Sequence, residues 1–207
     1  MLVALDCESE GLLWQHKAFC ATTCDNENGS LFWDLTKDRE DLVQYLQRAT
    51  KIICHNLKFD AQKMLLAGVL TEDDLQYPGR YEDTLIMGHL LDEHRSNRLK
   101  DLAKTVLEEE TDEAKVLAKV RRELGLTKDD GYDKIPLEVL KPYALKDAEF
   151  TYRLFKIFDT AVRQPSNKPL YDLYRREIRF VFTLMKVEEK GLLLGCLTAV
   201  SKILNSR

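Results

Sequence analysis

The chain opens on an apolar run, Leu2-Val3-Ala4-Leu5, that breaks at Asp6. A short continuous apolar run of this kind reads as a buried strand, here residues 2–7. Residues 18–24 and 31–35 read as two more strands. The polar cluster Asp25-Asn26-Glu27-Asn28-Gly29-Ser30 between them is a turn signal, so the three predict an antiparallel meander. Leu42, Val43 and Leu46 recur at helical spacing over 38–48, with Thr36 or Asp38 as the N-cap. Residues 51–55 make a fourth strand. A strand reached through a crossover helix prefers parallel pairing by a right-handed connection, so the early chain is expected to form a mixed sheet.

From residue 58 onward the period becomes helical. Helices are predicted over 58–67, ended by Gly68; 83–92; 99–108; 112–124, ended by Gly125; 142–162; 168–190, ended by Gly191; and 197–205. Pro142 suits the first position of its helix, whose core side would be Leu145, Ala148, Leu154 and Phe155. The charged stretch 108–134, with Gly125, Gly131 and Asp129-Asp130, predicts a surface helix and a mobile loop whose charges form a solvated face. A soft boundary at 163–167 divides a main domain, 1–162, from a helical appendage, 163–207.

Composition narrows the picture without deciding it. The chain has 207 residues, 44% hydrophobic and 32% charged, enough for one well-buried soluble domain. No apolar stretch approaches the length of a membrane span. No basic region or cleavage site precedes the first strand, so the expected location is the cytoplasm. Cys7, Cys20 and Cys54 lie in apolar runs and read as reduced core thiols. Cys20 and Cys24 do not form a CxxC, and with four histidines in the chain a structural zinc site is not expected.

The net charge of -4 and a pI near 5.7 argue against binding nucleic acid by bulk electrostatics. They leave room for a nucleic-acid enzyme whose carboxylates are neutralised by metal ions. Lys51, Lys58, Lys63, Lys141 and Lys146 flank the acidic motifs and read as ordinary solvated lysines.

Three motifs carry the candidate chemistry. Asp6 and Glu8 are two apart on a strand and share a face, with Cys7 opposite. Adjacent carboxylates raise each other's pKa and cost stability unless a cation pairs them. Asp60, in the first turn of a helix, is favoured there by the dipole. In the preceding turn His55-Asn56 offers polar groups; an amide there can bond a sugar or phosphate, and the Phe59 ring can stack on a base or belong to the core. Tyr143 and Asp147 sit one helical turn apart, where a hydroxyl can orient a water beside a metal-binding carboxylate. Each motif alone has an ordinary structural explanation. Together, and in this order, they can hold two divalent cations over a phosphodiester.

These residues resemble the DnaQ-like 3'–5' exonucleases, in the subgroup with a tyrosine in the third motif. The likeness is strongest to the proofreading exonuclease domain of family A DNA polymerases, the bacterial polymerase I group and its phage relatives. It rests on Asp6-x-Glu8 with Gly11-Leu12, on His55-Asn56-Leu57-Lys58-Phe59-Asp60 and on Tyr143-x3-Asp147. Glu82-Asp83-Thr84-Leu85-Ile86-Met87, Leu90-Leu91-Asp92 and Arg98-Leu99-Lys100-Asp101-Leu102-Ala103 match the stretch between the second and third motifs. The likeness covers about residues 1–162 and continues more weakly over 171–195, similar to the helix that links exonuclease to polymerase.

The resemblance implies an α/β, ribonuclease-H-like fold: a mixed five-stranded sheet flanked by helices, with a mostly helical C-terminal part. It implies two divalent ions, Mg2+ or Mn2+. Asp6, Glu8 and Asp147 would hold the tighter ion, with Asp6 shared and Asp60 reaching the second. Tyr143 would align the nucleophilic water with help from Glu8, and Leu12, His55, Asn56 and Phe59 would contact the terminal nucleotide. The implied substrate is a single-stranded or frayed DNA 3' end. The implied partner is a polymerase domain or subunit, because residues 163–207 leave no room for one; the chain reads as either freestanding or an excised piece, and a first motif at residue 6 is similar to compact phage enzymes. An exoribonuclease of the ribonuclease D type shares the same acids and tyrosine, and a non-catalytic exonuclease-like binding module is the third reading.

Overall fold

The computed structural model describes residues 1–13, 15–109, 112–127 and 130–190. β1 (Leu2–Ser9) is the middle strand of a five-stranded sheet. On one side it pairs antiparallel with β2 (Ala18–Asp25), which pairs antiparallel with β3 (Gly29–Asp34). On the other it pairs parallel with β4 (Lys51–Cys54), reached through α1 (Arg39–Gln47), and β4 pairs parallel with β5 (Tyr81–Asp83). The expected mixed sheet and ribonuclease-H-like plan are both present, in the order β3-β2-β1-β4-β5. The motifs located four strands. The fifth is three residues long and carries no alternation, so nothing local announces it.

The helices follow the apolar period closely: α2 (Leu57–Leu66), α3 (Thr84–Leu91), α4 (Leu99–Val106), α5 (Glu113–Glu123), α6 (Leu137–Val162) and α7 (Lys168–Lys190). The helix expected over 197–205, Gly191 and Cys196 lie outside the described residues. α6 departs from expectation at its head. It starts five residues early with Pro136 as N-cap, so Pro142 lies inside the helix. A proline there removes one backbone hydrogen bond. The added turns bury Leu140, which packs with Ile135, Leu117 and Cys20 in a satellite cluster. Leu145 is only half-buried, whereas Ala148, Leu154 and Phe155 face the core as expected.

α7 is part of the same core as the sheet. Its Tyr174 and Ile178 are fully buried, and the Tyr174 hydroxyl donates to Glu82 Oε2 at 2.7 Å while accepting from the Asp83 amide at 2.9 Å. Glu82 has no solvent exposure and also receives Arg175 at 3.0 Å and Lys51 at 2.7 Å. A buried carboxylate needs this compensation, and it fixes the short β5 against β4 and α7. Cys7, Cys20, Cys24 and Cys54 are buried free thiols, as the apolar runs imply for three of them. No helix among the described residues is long and apolar enough to cross a membrane.

Candidate active site

The parallel strands β1, β4 and β5 all end on one side of the sheet, and the candidate residues gather there. This is where open α/β sheets present their ligand crevices. Asp6 lies opposite Thr22 in the β1–β2 register, and Glu8 opposite Cys20, just before an irregularity at Glu8/Ser9. Thr22 is fully buried and its hydroxyl donates to the Ala144 carbonyl at 2.9 Å. That bond anchors α6 on the sheet in the turn between Tyr143 and Asp147. The pairing Asp6–Thr22 thus brings the first motif to the third.

Cys7 faces the other way, as alternation requires, and its thiol donates to Asp60 Oδ1 at 3.3 Å. Cys54 lies beside the same carboxylate, and both thiols favour its charged form. Asp60 is buried in the first turn of α2, and its Oδ2 has no hydrogen-bond partner. The chain enters α2 through Asn56 at φ 82°, a left-handed conformation that asparagine tolerates. Asp83, at the end of β5, locks this turn. Its carboxylate accepts from the amides of Asn56 (3.2 Å) and Leu57 (2.8 Å) and also caps α3 through Leu85 (2.8 Å) and Ile86 (3.4 Å). One buried side chain therefore sets the head of two helices.

On α6, the Tyr143 hydroxyl lies close enough to Asp147 to favour its charged form, and its ring stacks on Tyr132 with centroids 6.3 Å apart. Asp147 is also held by the Lys100 ammonium from α4, which lies 4.1 Å from the Tyr143 ring centroid. In the stretch 108–134 the expected surface helix is present as α5, with Lys115, Lys119, Arg122 and Glu123 exposed, while the described residues of the segment after it, expected as a mobile loop, are tied to the site. Arg121 lies 5.0 Å over the Tyr132 ring and donates to the Thr127 and Asp130 carbonyls. Gly131 packs so tightly that a Cβ would lie 2.2 Å from the Glu10 carbonyl oxygen.

Burial pushes the carboxyls of Asp6, Glu8, Asp60 and Asp147 above the usual carboxylate range. The mutual repulsion of the four adds to this at Asp6 and Glu8, and Lys100 opposes it at Asp6, Glu8 and Asp147. Burial first, and then Asp147, raise the Tyr143 hydroxyl too. Among the described residues no three His, Cys, Asp or Glu side chains converge closely enough to hold an ion as they stand. The donor set nevertheless suits a hard divalent cation. It is all carboxylate oxygen, strongly self-repelling, with one buried oxygen, Asp60 Oδ2, left unpaired.

A family model described as 3'–5' exonuclease, of the kind carried by family A DNA polymerases, matches residues 1–163. The chain belongs to that exonuclease family. It is 26% identical to the DNA polymerase DpoZ of Acinetobacter phage SH-Ab 15497, over 92% of this chain and 31% of that protein. It is 32% identical to the DNA polymerase of Escherichia phage T5, over 73% of this chain and 19% of that protein. With DNA polymerase I of Borreliella burgdorferi the identity is 28%, over 70% and 14%. The chain thus spans less than a third of each of these relatives. A solved structure of the POL domain of Pol1 from M. smegmatis, in complex with DNA primer-template and dNTP, superposes with a TM-score of 0.59 at 16% identity, over 89% of this chain and 27% of that one. At that identity it bears on the fold alone.

The remaining candidate residues of the exonuclease domain divide. Leu12 and Phe59 line a small cleft beside Glu8, closed on the far side by Gly131 and Tyr132. Leu12 is 69% exposed, and Phe59 packs partly on the core while also lining the cleft. Asn56 is exposed at the edge of a separate open groove with Leu85, Asn97 and Arg98. His55 lines the same groove with its ring held at both nitrogens: Nδ1 meets Thr84 Oγ1 at 2.8 Å and Nε2 meets the Asn97 carbonyl at 2.9 Å, and burial lowers its pKa to about 4.

Two of the flanking lysines have structural roles. Lys51 joins Glu82, and Lys63 is fully buried, its ammonium on the Leu13 carbonyl and 5.2 Å over the Phe59 ring. The motifs did not single out Lys100, Arg121 or Tyr132. Lys100 and Asp83 do fall in stretches that match the family, which marked the segments without assigning their roles.

Proposed function

We propose that this exonuclease domain removes nucleoside 5'-monophosphates from DNA 3' ends by a two-metal mechanism, as a proofreading-type activity. The observation that supports it most is that Asp6, Glu8, Asp60 and Asp147, from three elements, lie near enough to raise one another's pKa, with Tyr143 one helical turn from Asp147. Asp6, Glu8 and Asp147 would hold one ion, with Asp6 shared, and Asp60 would reach the other through its unpaired oxygen. Mg2+ or Mn2+ in these positions supplies an activated water and stabilises the departing 3'-oxygen.

The chain's own residues do the rest. Tyr143, fixed between Asp147 and the Tyr132 ring, orients the water together with Glu8. Leu12 and Phe59 grip the terminal nucleotide in the cleft beside Glu8, and Asn56 contacts the sugar-phosphate backbone from the neighbouring groove. His55 lines the same groove as Asn56 and holds the Asn97 carbonyl in place there. Residues 1–162 would carry the exonuclease chemistry, α7 completes their core, and 163–207 would lead on to a polymerase domain or subunit. That role places the protein in the cytoplasm, the host's if it is phage-encoded.

Digestion of 5'-labelled single-stranded DNA and matched RNA, with Mg2+, Mn2+ or EDTA, tests this. The expected result is a metal-dependent ladder from the 3' end, faster on DNA and absent in Asp6→Ala and Asp147→Ala. A faster ladder on RNA makes it a ribonuclease D-type enzyme. Undiminished digestion by either alanine variant refutes the site.

A further inference from the structure

Lys100 reaches the carboxylate cluster from the first turn of α4. Its ammonium contacts Asp147 Oδ1, and the side chains are 29% and 10% exposed respectively. The same ammonium lies 4.1 Å from the Tyr143 ring centroid and 5.4 Å from that of Phe150. Its point of entry is fixed, because α4 follows directly on the Asn97 segment that His55 holds. The aliphatic stem of a lysine can lie along such rings while its head stays polar, and an ammonium over an aromatic face is attracted to it.

We propose that Lys100 is a tethered counterion: it takes one cation position of the cluster while no divalent ion is bound, and must release Asp147 for the ion to enter. This rests on the two-metal reading of the site. Both cations would seek the Asp147 carboxylate, whose Oδ1 the ammonium already holds, and would repel each other there. Four crowded carboxylates would destabilise a metal-free fold, and the ammonium relieves part of that repulsion at Asp6, Glu8 and Asp147. The Tyr143 and Phe150 rings give the displaced head a resting place nearby, so release needs a change of side-chain torsion and no movement of α4. Lys100 is thus a positioning residue that sets how much metal the site needs.

Mn2+ titration of DNA-free protein, followed by calorimetry or electron paramagnetic resonance, reads this directly. Lys100→Gln should bind Mn2+ about 2- to 5-fold more tightly than wild type, a partly exposed contact ion pair being worth about that factor after screening. Lys100→Arg keeps the competing charge and should stay near wild type. In EDTA, Lys100→Gln should melt below wild type, while the two should melt together at saturating Mn2+. In wild type, lysine side-chain NMR should show the Lys100 signal shift when Mg2+ is added, which tests displacement without a variant. Unchanged or weaker Mn2+ binding by a folded Lys100→Gln, or an NMR signal indifferent to Mg2+, overturns the proposal and leaves the exonuclease reading standing. Wild type that binds no Mn2+ overturns both.

Discussion

Asp83→Ala is the substitution whose cost the structure defines best. The carboxylate is buried and accepts from four backbone amides at 2.8–3.4 Å, two at the head of α2 and two at the head of α3. Loss of its N-cap costs α3 about 1 kcal/mol, and α2 loses an equivalent acceptor at its first amide. Hydrogen bonds to a charged acceptor are worth about 1.5–3 kcal/mol each, and the two at 2.8 Å, to Leu57 and Leu85, leave buried donors with nothing in exchange. These overlap with the cap energies, so the expected loss is about 3–4 kcal/mol. Asp83→Asn keeps one acceptor oxygen and should lose about half of that. Urea unfolding checks it, with an unchanged m-value confirming that the loss is one of stability. An alanine variant within about 1 kcal/mol of wild type, or an asparagine variant as damaged as the alanine, would refute the double-cap reasoning.

Four further outcomes follow from the site. Asp6, Glu8, Asp60 and Asp147 have folded pKa values raised by burial, so their contribution is complete below the ordinary carboxylate range and is lost as pH rises through the raised values. In EDTA the melting temperature should fall as pH rises above that range, and Mg2+ or Mn2+ should flatten the fall; a flat profile in EDTA would contradict the coupling. His55 has the opposite sign: its pKa drops from 6.5 to about 4, so its stability is present above 6.5 and lost as pH falls toward 4. Comparing wild-type and His55→Gln melts across that window isolates up to about 3 kcal/mol, and identical slopes would count against it. Tyr143→Phe should lower kcat by ~100-fold with Mn2+ affinity unchanged, a loss of the order of a single proton-handling group; loss of metal binding instead would make Tyr143 structural. Lys63→Met should fold stably but free the Leu13 carbonyl, raising KM for single-stranded DNA several-fold with kcat preserved; an unchanged KM would show that the 12–13 segment does not grip substrate.

Much of this protein is written locally. The apolar run 2–5, the helical periods of α1 and α3 to α7 and the turn at 25–30 depend on neighbours in sequence, and the structure has them within a few residues. The four carboxylates and Tyr143 were legible for the same reason, because each motif sits at a strand end or helix head where backbone geometry aims it. Local pattern could not say what lies across the sheet. β5 exists because Glu82 is neutralised by Lys51, Tyr174 and Arg175, the last two about ninety positions away. α6 starts early because Leu140 finds a pocket beside Leu117 and Cys20.

The same limit governs the chemistry. Lys63 and Lys100 are indistinguishable in sequence from solvated lysines, and only packing buries one under the 12–13 segment and leads the other to Asp147. Whether a charged side chain is idle or decisive depends on the dielectric around it and the charges it meets, and both come from parts of the chain that sequence spacing does not relate. The sequence by itself determined which groups could act; the tertiary structure decided which of them share one low-dielectric crevice and which cation stands among them.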